Sequence, residues 1–366
     1  MSVHTHTTTP FILTVFGASG DLAHLKIFPA LYELMEQNML PRDFWIVGYA
    51  RTKMTKSAFH KSIKESIRHV HGTRANTHVI MSLLSHVQYF PGAYRALVDF
   101  EKYHAFLTVL KKNISMVHLA YFSVPPSAFE DIIRNLALSR SSRTEDIRLI
   151  LEKPFGTSCH SATALFHTVS QYFDERDVYL LDHYLGKTSV RSILNLRHTN
   201  RILSHMMRGA EISNIQITKF ESYGVSERGG YFDSVGIIKD MIQSHLLQLL
   251  ALVTMDIPVV TSAERLQKER LAVISALECV GDSDHVVIGQ YKGYTKEAHV
   301  APRSRAETFA ALRLFINREE WYNIPIYLRT GKSIYESHTY IVIELKRFAF
   351  QDEKEEPNRL VFEISP

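Results

Sequence analysis

A chain of 366 residues is longer than one hydrophobic core usually supports, so two domains are expected. With 45% hydrophobic and 22% charged residues it reads as a soluble globular protein, and two cysteines exclude a disulfide framework and suit a reducing cytosol. A formal charge of +4 suits an anionic small ligand; the basic run at 51–56 lacks the aromatic interleaving of a nucleic-acid surface, and the apolar stretch 246–260 is interrupted by Gln248, Asp256 and Pro258, so neither nucleic acid nor a membrane is an expected partner.

In chain order, Phe11–Phe16 reads as a buried strand, 17–20 as a turn, and 22–37 as a helix kinked at Pro29. Strand signals recur at 44–49, 117–124 and 148–151, with helical or polar segments between them. Strands alternating with helices predict a parallel sheet covered on both faces. From about residue 187 the pattern changes. Helical segments at 188–206 and 235–255 mix with two-residue alternation at Ile212–Phe220, 286–291, 308–317, 340–348 and Arg359–Ser365. The expected architecture is therefore α/β over 1–186 followed by α+β over 187–366, with an antiparallel sheet in the second domain.

The run Gly17-Ala18-Ser19-Gly20-Asp21-Leu22 joins the first strand to a helix start. Glycine lets a backbone turn sharply against a pyrophosphate, and a helix N-terminus supplies N–H donors and a positive dipole end. The G-x-G-x-x-G spacing is not kept, because Ser19 and Ala23 stand where glycines would be. By itself the segment fits a Rossmann-like dinucleotide turn or an ordinary tight turn. The second strand ends in Gly48-Tyr49-Ala50-Arg51, with no acid to hold ribose hydroxyls. An arginine there can clamp the extra phosphate of NADP, or it can be plain surface.

Two further strand ends present polar groups. Lys153 precedes Pro154, which disfavours helix at the lysine and leaves it at the carboxyl end of a strand, where parallel sheets bind ligands, so it fits a binding role as well as a solvated surface. His183, Tyr184 and Lys187 follow another apolar run and precede a helix, an arrangement suited to phosphate or to a simple capping turn. Asp240 and His245 lie five apart, about 140° around a regular helix, so they do not stack on one face; they can flank a ligand, another element can orient the histidine, or, ahead of Leu-Leu-Gln-Leu-Leu, it can be a buried structural one. The histidines at 69, 71, 78 and 86 have no metal-site spacing, and no metal is expected.

Taken together, GASGDLA (17–23), GYAR (48–51), EKPFG (152–156), DHYLGK (182–187), RGGYFD (228–233), DMIQSHLLQLL (240–250) and LRTGK (328–332) resemble glucose-6-phosphate dehydrogenases, in the family's order along nearly the whole chain. The resemblance implies a Rossmann-like coenzyme domain and an α+β domain whose large, mostly antiparallel sheet serves dimerisation, in a cytoplasmic homodimer or homotetramer. It implies oxidation of glucose 6-phosphate to its lactone with reduction of NADP. Carried over, His245 is the general base and Asp182 its carboxylate partner. His183, Tyr184 and Lys187 hold the phosphate. Lys153, Glu221, Asp240 and Lys332 bind sugar hydroxyls, with Lys153 also near the nicotinamide. The coenzyme turn is Gly17, Ala18, Ser19, Gly20, Asp21 and Leu22, with Arg51 on the extra phosphate.

The resemblance has departures. His24-Leu25-Lys26 stands where the family often has a basic run, Phe129 for a tyrosine, Ser337 for a basic side chain and Ser365 for a glutamine. Family members continue past the strand that ends near Pro366. That leaves a second expectation, a catalytically silent NADP- or sugar-phosphate-binding protein or scaffold.

Overall fold

The computed structural model describes residues 9–112, 114–140, 145–153, 155–156, 158–258, 262–278, 284–347, 350, 352 and 355–365, without the side chains of His183 and Ser365. The chain forms two compact units, Met1–Leu181 and Asp182–Pro366. Asp182 rather than Lys187 opens the second unit because Tyr184 is buried in that unit's core.

The first unit is a parallel sheet of strands β1 (Phe11–Phe16), β2 (Phe44–Ala50), β3 (Val87–Pro91), β4 (Val117–Phe122), β5 (Ile147–Glu152) and β6 (Val178–Leu181), in the order β3-β2-β1-β4-β5-β6. Helices α1 (Phe28–Glu36), α2 (Lys56–His71), α3 (Thr77–Ser85), α4 (Leu97–Lys111), α5 (Phe129–Leu138) and α6 (Cys159–Tyr172) supply the intervening segments. Alternate residues of the central strands feed two separate cores. Val15 and Ile46 pack with Phe28, Phe59 and Ile63 in one, and Phe16 and Val47 pack with Phe100 and Phe129 in the other. The strand order reverses between β1 and β4, the switch point at which such sheets take ligands.

The helix expected over 22–37 does not kink at Pro29. A π-helical turn, Ala23–Ile27, comes first, and Pro29 sits in the opening turn of α1, where its missing N–H is not required. Phe28 N–H bonds back to the Ala23 carbonyl, so the wide turn absorbs the change of register.

The second unit carries strands β7 (Ile212–Phe220), β8 (Leu277–Glu278), β9 (Val286–Gly289), β10 (Phe309–Ile316), β11 (Ile326–Gly331), β12 (His338–Leu345) and β13 (Arg359–Ser365). Their order is β13-β12-β7-β11-β10-β8, with β9 also on β10, and every pairing is antiparallel except β7 with β11. The strand read at 340–348 is β12, shifted two residues earlier, and residue 348 lies outside the described residues.

Helices α7 (His183–Gly186), α8 (Thr188–Thr199), α9 (Arg201–Met206), α10 (Gly229–Ile237), α11 (Leu247–Thr254) and α12 (Ala263–Ser275) accompany this sheet. The helix expected over 188–206 breaks at Asn200, whose side chain accepts the Leu203 N–H at 3.0 Å and starts α9. Between α10 and α11 the chain winds as a π-helix, Ile238–Leu246. The run Ser226–Thr254 is long and apolar enough by composition to cross a membrane, yet more than half of its most apolar window is buried within the protein. Leu246, Leu249, Leu250 and Val253 there belong to the unit's core.

Candidate active site

In the first unit the end of β1 turns at Gly17, whose φ is +83° and where a Cβ would lie 2.1 Å from the Ser123 carbonyl oxygen. Only glycine fits that position. The Gly17 and Ala18 N–H groups both donate to the Tyr49 carbonyl, at 2.9 and 3.4 Å, which fastens the turn to β2. Ala18 is buried, while Ser19, Gly20, Asp21 and Leu22 lie exposed ahead of the π-helical turn. The turn thus stands exposed at the switch point, where such sheets take a dinucleotide pyrophosphate.

Arg51 follows β2, and its guanidinium lies 5.6 Å from the centroid of the Tyr94 ring. An open cavity of about 730 Å³ adjoins it, lined by Arg51, Lys53, Met54, Thr55, Gly92 and Asp99 among others. Ser19 Oγ and Thr52 Oγ1 are 3.4 Å apart, so the glycine turn and the arginine segment border one another. The one carboxylate in the cavity lining, Asp99, accepts the Ala93 N–H at 2.9 Å. Lys153 directly follows β5 at its carboxyl end, as expected.

In the second unit Asp182 caps α7. Its Oδ1 accepts the Tyr184 N–H at 2.9 Å and also lies 3.4 Å from His245 Nδ1. Both side chains are 8% exposed, so the pair is largely withdrawn from water. The Tyr184 ring stacks on the imidazole, with centroids 4.1 Å apart, and Lys187 Nζ lies 4.5 Å from the centroid of the Tyr184 ring. Burial, with the Glu221 charge adding to it, drives the Tyr184 phenol well above its ordinary range, so it stays protonated.

Glu221 and Lys332 form the other half of this site. Lys332 Nζ lies 2.5 Å from Glu221 Oε2, and Lys219 Nζ lies 3.8 Å from Oε1. Burial pushes the Glu221 carboxyl up, but the hydrogen bond and charge of Lys332, with Lys219 behind them, hold it below the ordinary carboxylate value. Lys332 also lies 5.2 Å from the ring of Phe232, in the RGGYFD segment. The backbone sets this pair: Glu221 N–H donates to the Gly331 carbonyl and Lys332 N–H to the Thr308 carbonyl, each at 2.9 Å.

Of the residues expected in the second unit, His245, Asp182, Tyr184, Lys187, Glu221 and Lys332 are linked by these contacts. His183 opens α7, and its side chain lies outside the described residues. Asp240 and His245 require a correction. They lie in the π-helical stretch, where backbone bonding runs i to i+5, so residues five apart come close to one side of the helix instead of standing about 140° apart. Leu247 N–H bonds to the Ile242 carbonyl, and Ser244 Oγ reaches the Lys239 carbonyl at 2.8 Å, both across five residues.

Three neighbours went unread in the sequence: Lys219, Tyr94 and Arg270, whose guanidinium burial pulls down and the Asp182 charge pulls back. At the departures, Ser337 Oγ accepts the Ser222 N–H at 2.7 Å, and Phe129 is buried edge-on against Phe122.

A dinucleotide-type parallel sheet, with a histidine–carboxylate pair flanked by lysines in the following unit, defines the class: a dehydrogenase that uses a nicotinamide dinucleotide on an anionic substrate. The glucose-6-phosphate dehydrogenase NAD binding domain matches residues 14–192, and the C-terminal domain of that enzyme matches 194–366. The glucose-6-phosphate 1-dehydrogenase of Treponema pallidum is 35% identical, covering 98% of this chain and 75% of its own length. That of Schizosaccharomyces pombe is also 35% identical, over 97% and 73% respectively. A solved glucose-6-phosphate dehydrogenase in complex with its substrate superposes with a TM-score of 0.92 at 33% identity, covering 99% of this chain and 77% of that one. The chain belongs to the glucose-6-phosphate dehydrogenase family.

Proposed function

We propose that this chain oxidises glucose 6-phosphate at its anomeric carbon, giving 6-phosphoglucono-lactone with reduction of NADP. The observation that carries the reading is the buried His245–Asp182 pair within a set of lysines and one carboxylate. Asp182 lies toward Nδ1, which leaves Nε2 of His245 to take the proton of the anomeric hydroxyl. As that O–H bond breaks, the C–O double bond of the lactone forms and the C–H bond is lost as hydride. Asp182 stabilises the imidazolium that results.

His183, Tyr184 and Lys187 anchor the phosphate. Glu221, Asp240, Lys332 and Lys153 orient the sugar hydroxyls, so binding energy far from the reacting carbon supports its alignment. Residues 17–22 and Arg51 would hold NADP, which would supply the hydride acceptor. The choice of NADP over NAD is supported by Arg51 directly after β2, beside a cavity whose lining carboxylate, Asp99, already accepts the Ala93 N–H. The family's cytoplasmic, homo-oligomeric habit is the accompanying proposal. The silent-binding alternative draws no support from relatives named as dehydrogenases.

The test is direct: purified protein with glucose 6-phosphate and NADP, followed by the near-ultraviolet absorbance of NADPH. Turnover that needs both compounds is the expected result. A folded chain that neither binds nor oxidises glucose 6-phosphate would overturn the reading.

A further inference from the structure

Lys219 adds a cation to this site that the assignments above do not use. It lies two residues before Glu221 at the end of β7, and strand alternation puts both side chains on one face. Glu221 already holds Lys332 at 2.5 Å through Oε2, and Lys219 Nζ stands 3.8 Å from Oε1, beyond hydrogen-bond length. In the sheet Lys219 pairs with Thr339 of β12. Thr339 in turn hydrogen-bonds the side chain of Tyr184, whose ring has Lys187 Nζ 4.5 Å from its centroid.

The charges do not balance here. Burial lowers the Lys219 ammonium below its ordinary pKa; Glu221 opposes that, and Lys187 and Lys332 add to it. Two further ammonium groups, Lys187 and Lys332, therefore lie within electrostatic reach of Lys219, against the one carboxylate among the described residues that acts on it, Glu221, while Asp182 faces His245. Lys219 is only 13% exposed, and a partly desolvated excess of positive charge costs stability unless an anion arrives. A sugar hydroxyl cannot remove that excess. A phosphate monoester, close to a dianion at neutral pH, can.

Resting on the glucose 6-phosphate reading above, we propose that Lys219 is a specificity-determining arm of the phosphate subsite, holding the phosphoryl group of the substrate together with Lys187. The experiment compares Lys219→Met and Lys219→Arg with the wild-type full chain. It records kcat and KM for glucose 6-phosphate, the weak reaction with free glucose, and competitive inhibition by inorganic phosphate. Lys219→Met is expected to raise KM for glucose 6-phosphate roughly ten- to a hundredfold, the worth of one charge-assisted contact, with kcat changed much less. Inhibition by phosphate should weaken by a similar factor, the glucose reaction should fall far less, and Lys219→Arg should recover most of the loss. Equal losses with glucose and glucose 6-phosphate would show that Lys219 merely holds Glu221, and would overturn the proposal. So would an unchanged KM in folded protein. If thermal melting shows Lys219→Met to be unfolded, Lys219→Gln carries the same comparison. A wild-type chain that fails to bind glucose 6-phosphate removes the functional reading and this subsite together; normal wild-type binding with an unaffected variant removes only Lys219.

Discussion

The imidazole of His245 lies against the ring of Tyr184, with centroids 4.1 Å apart and planes inclined by 23°. The stack restricts the ring's tilt, and Asp182 at 3.4 Å from Nδ1 restricts its rotation, so Nε2 keeps one direction. Two constraints from one short segment, Asp182 and Tyr184, thus orient an imidazole carried by a separate helix.

Replacing His245 tests the general-base role proposed for it. His245→Asn should lower kcat by about two to four orders of magnitude, the usual worth of a general base, and change KM for glucose 6-phosphate much less. Steady-state kinetics on a variant with a normal melting curve decide the matter. Near-normal turnover would remove His245 from the role.

Asp182 caps α7 and is proposed to support the base, and substitution can separate the two. Asparagine caps helices about as well as aspartate, so Asp182→Asn should keep stability while lowering kcat through loss of the negative charge beside His245. Asp182→Ala loses the cap as well and should cost about 1 kcal/mol of stability in addition. Urea unfolding with kinetics on both variants checks the pair. Equal kcat in the asparagine variant and wild type would leave Asp182 a cap only.

Much of this arrangement was legible in the residues. The apolar run of β1 and the glycine after it could be read directly, because a strand buried on both faces and a turn with positive φ each leave a local signature. Alternation revealed β7, and the same alternation put Lys219 beside Glu221, a step that needed only the period of two. β11 went unread because a six-residue segment following Pro325 carries little pattern, and its parallel partner β7 is distant in sequence. α12 went unread because its many charges mask a weak apolar stripe. The π winding around His245 has no local sequence signal at all. It shows only when the backbone bonding does, and with it the side on which Asp240 lies.

Arg51 should discriminate between cofactors. If Arg51 clamps the ribose phosphate as proposed, Arg51→Ala should weaken NADP binding roughly ten- to a hundredfold while leaving NAD almost untouched. Parallel titrations with the two dinucleotides measure the difference. Equal losses for both would contradict the role.

The first unit should weaken in mild acid through His118. This side chain is 3% exposed, and its Nε2 lies 2.6 Å from Thr14 Oγ1, which also contacts the Tyr103 hydroxyl. Burial above all, with the charges of Lys111, His104 and Arg140, lowers its pKa from 6.5 to about 3. The unfolded chain therefore takes up this proton first as pH falls. Its contribution is fully present above about pH 6.5 and is lost progressively toward pH 3, reaching about 2 kcal/mol by pH 5. Urea unfolding at about pH 7 and pH 5 should show that drop, and His118→Asn should flatten it. An equally steep dependence in the variant would place the titration elsewhere.

Gly236 tests the link between the backbone and the placement of His245. It has φ 72° and ψ 166°, a region essentially reserved for glycine, immediately before the π-helical stretch that carries His245. A Cβ there would lie 2.3 Å from Glu307 Oε1. That oxygen accepts the Ile238 N–H at 3.2 Å, and the Glu307 carbonyl accepts the Ile237 N–H at 3.0 Å, so Glu307 satisfies the first donors of the stretch. Gly236→Ala should therefore cost about 1–3 kcal/mol from backbone strain and push Glu307 off these donors. The start of the stretch would shift, and His245 with it. Thermal melting should fall, kcat should drop at least tenfold, and NADP affinity should stay near normal because the glycine turn lies in the other unit. Glu307→Gln retains an oxygen acceptor and should keep most of both stability and turnover. A Gly236→Ala variant with wild-type melting and wild-type kcat would show that this backbone conformation does not position the base.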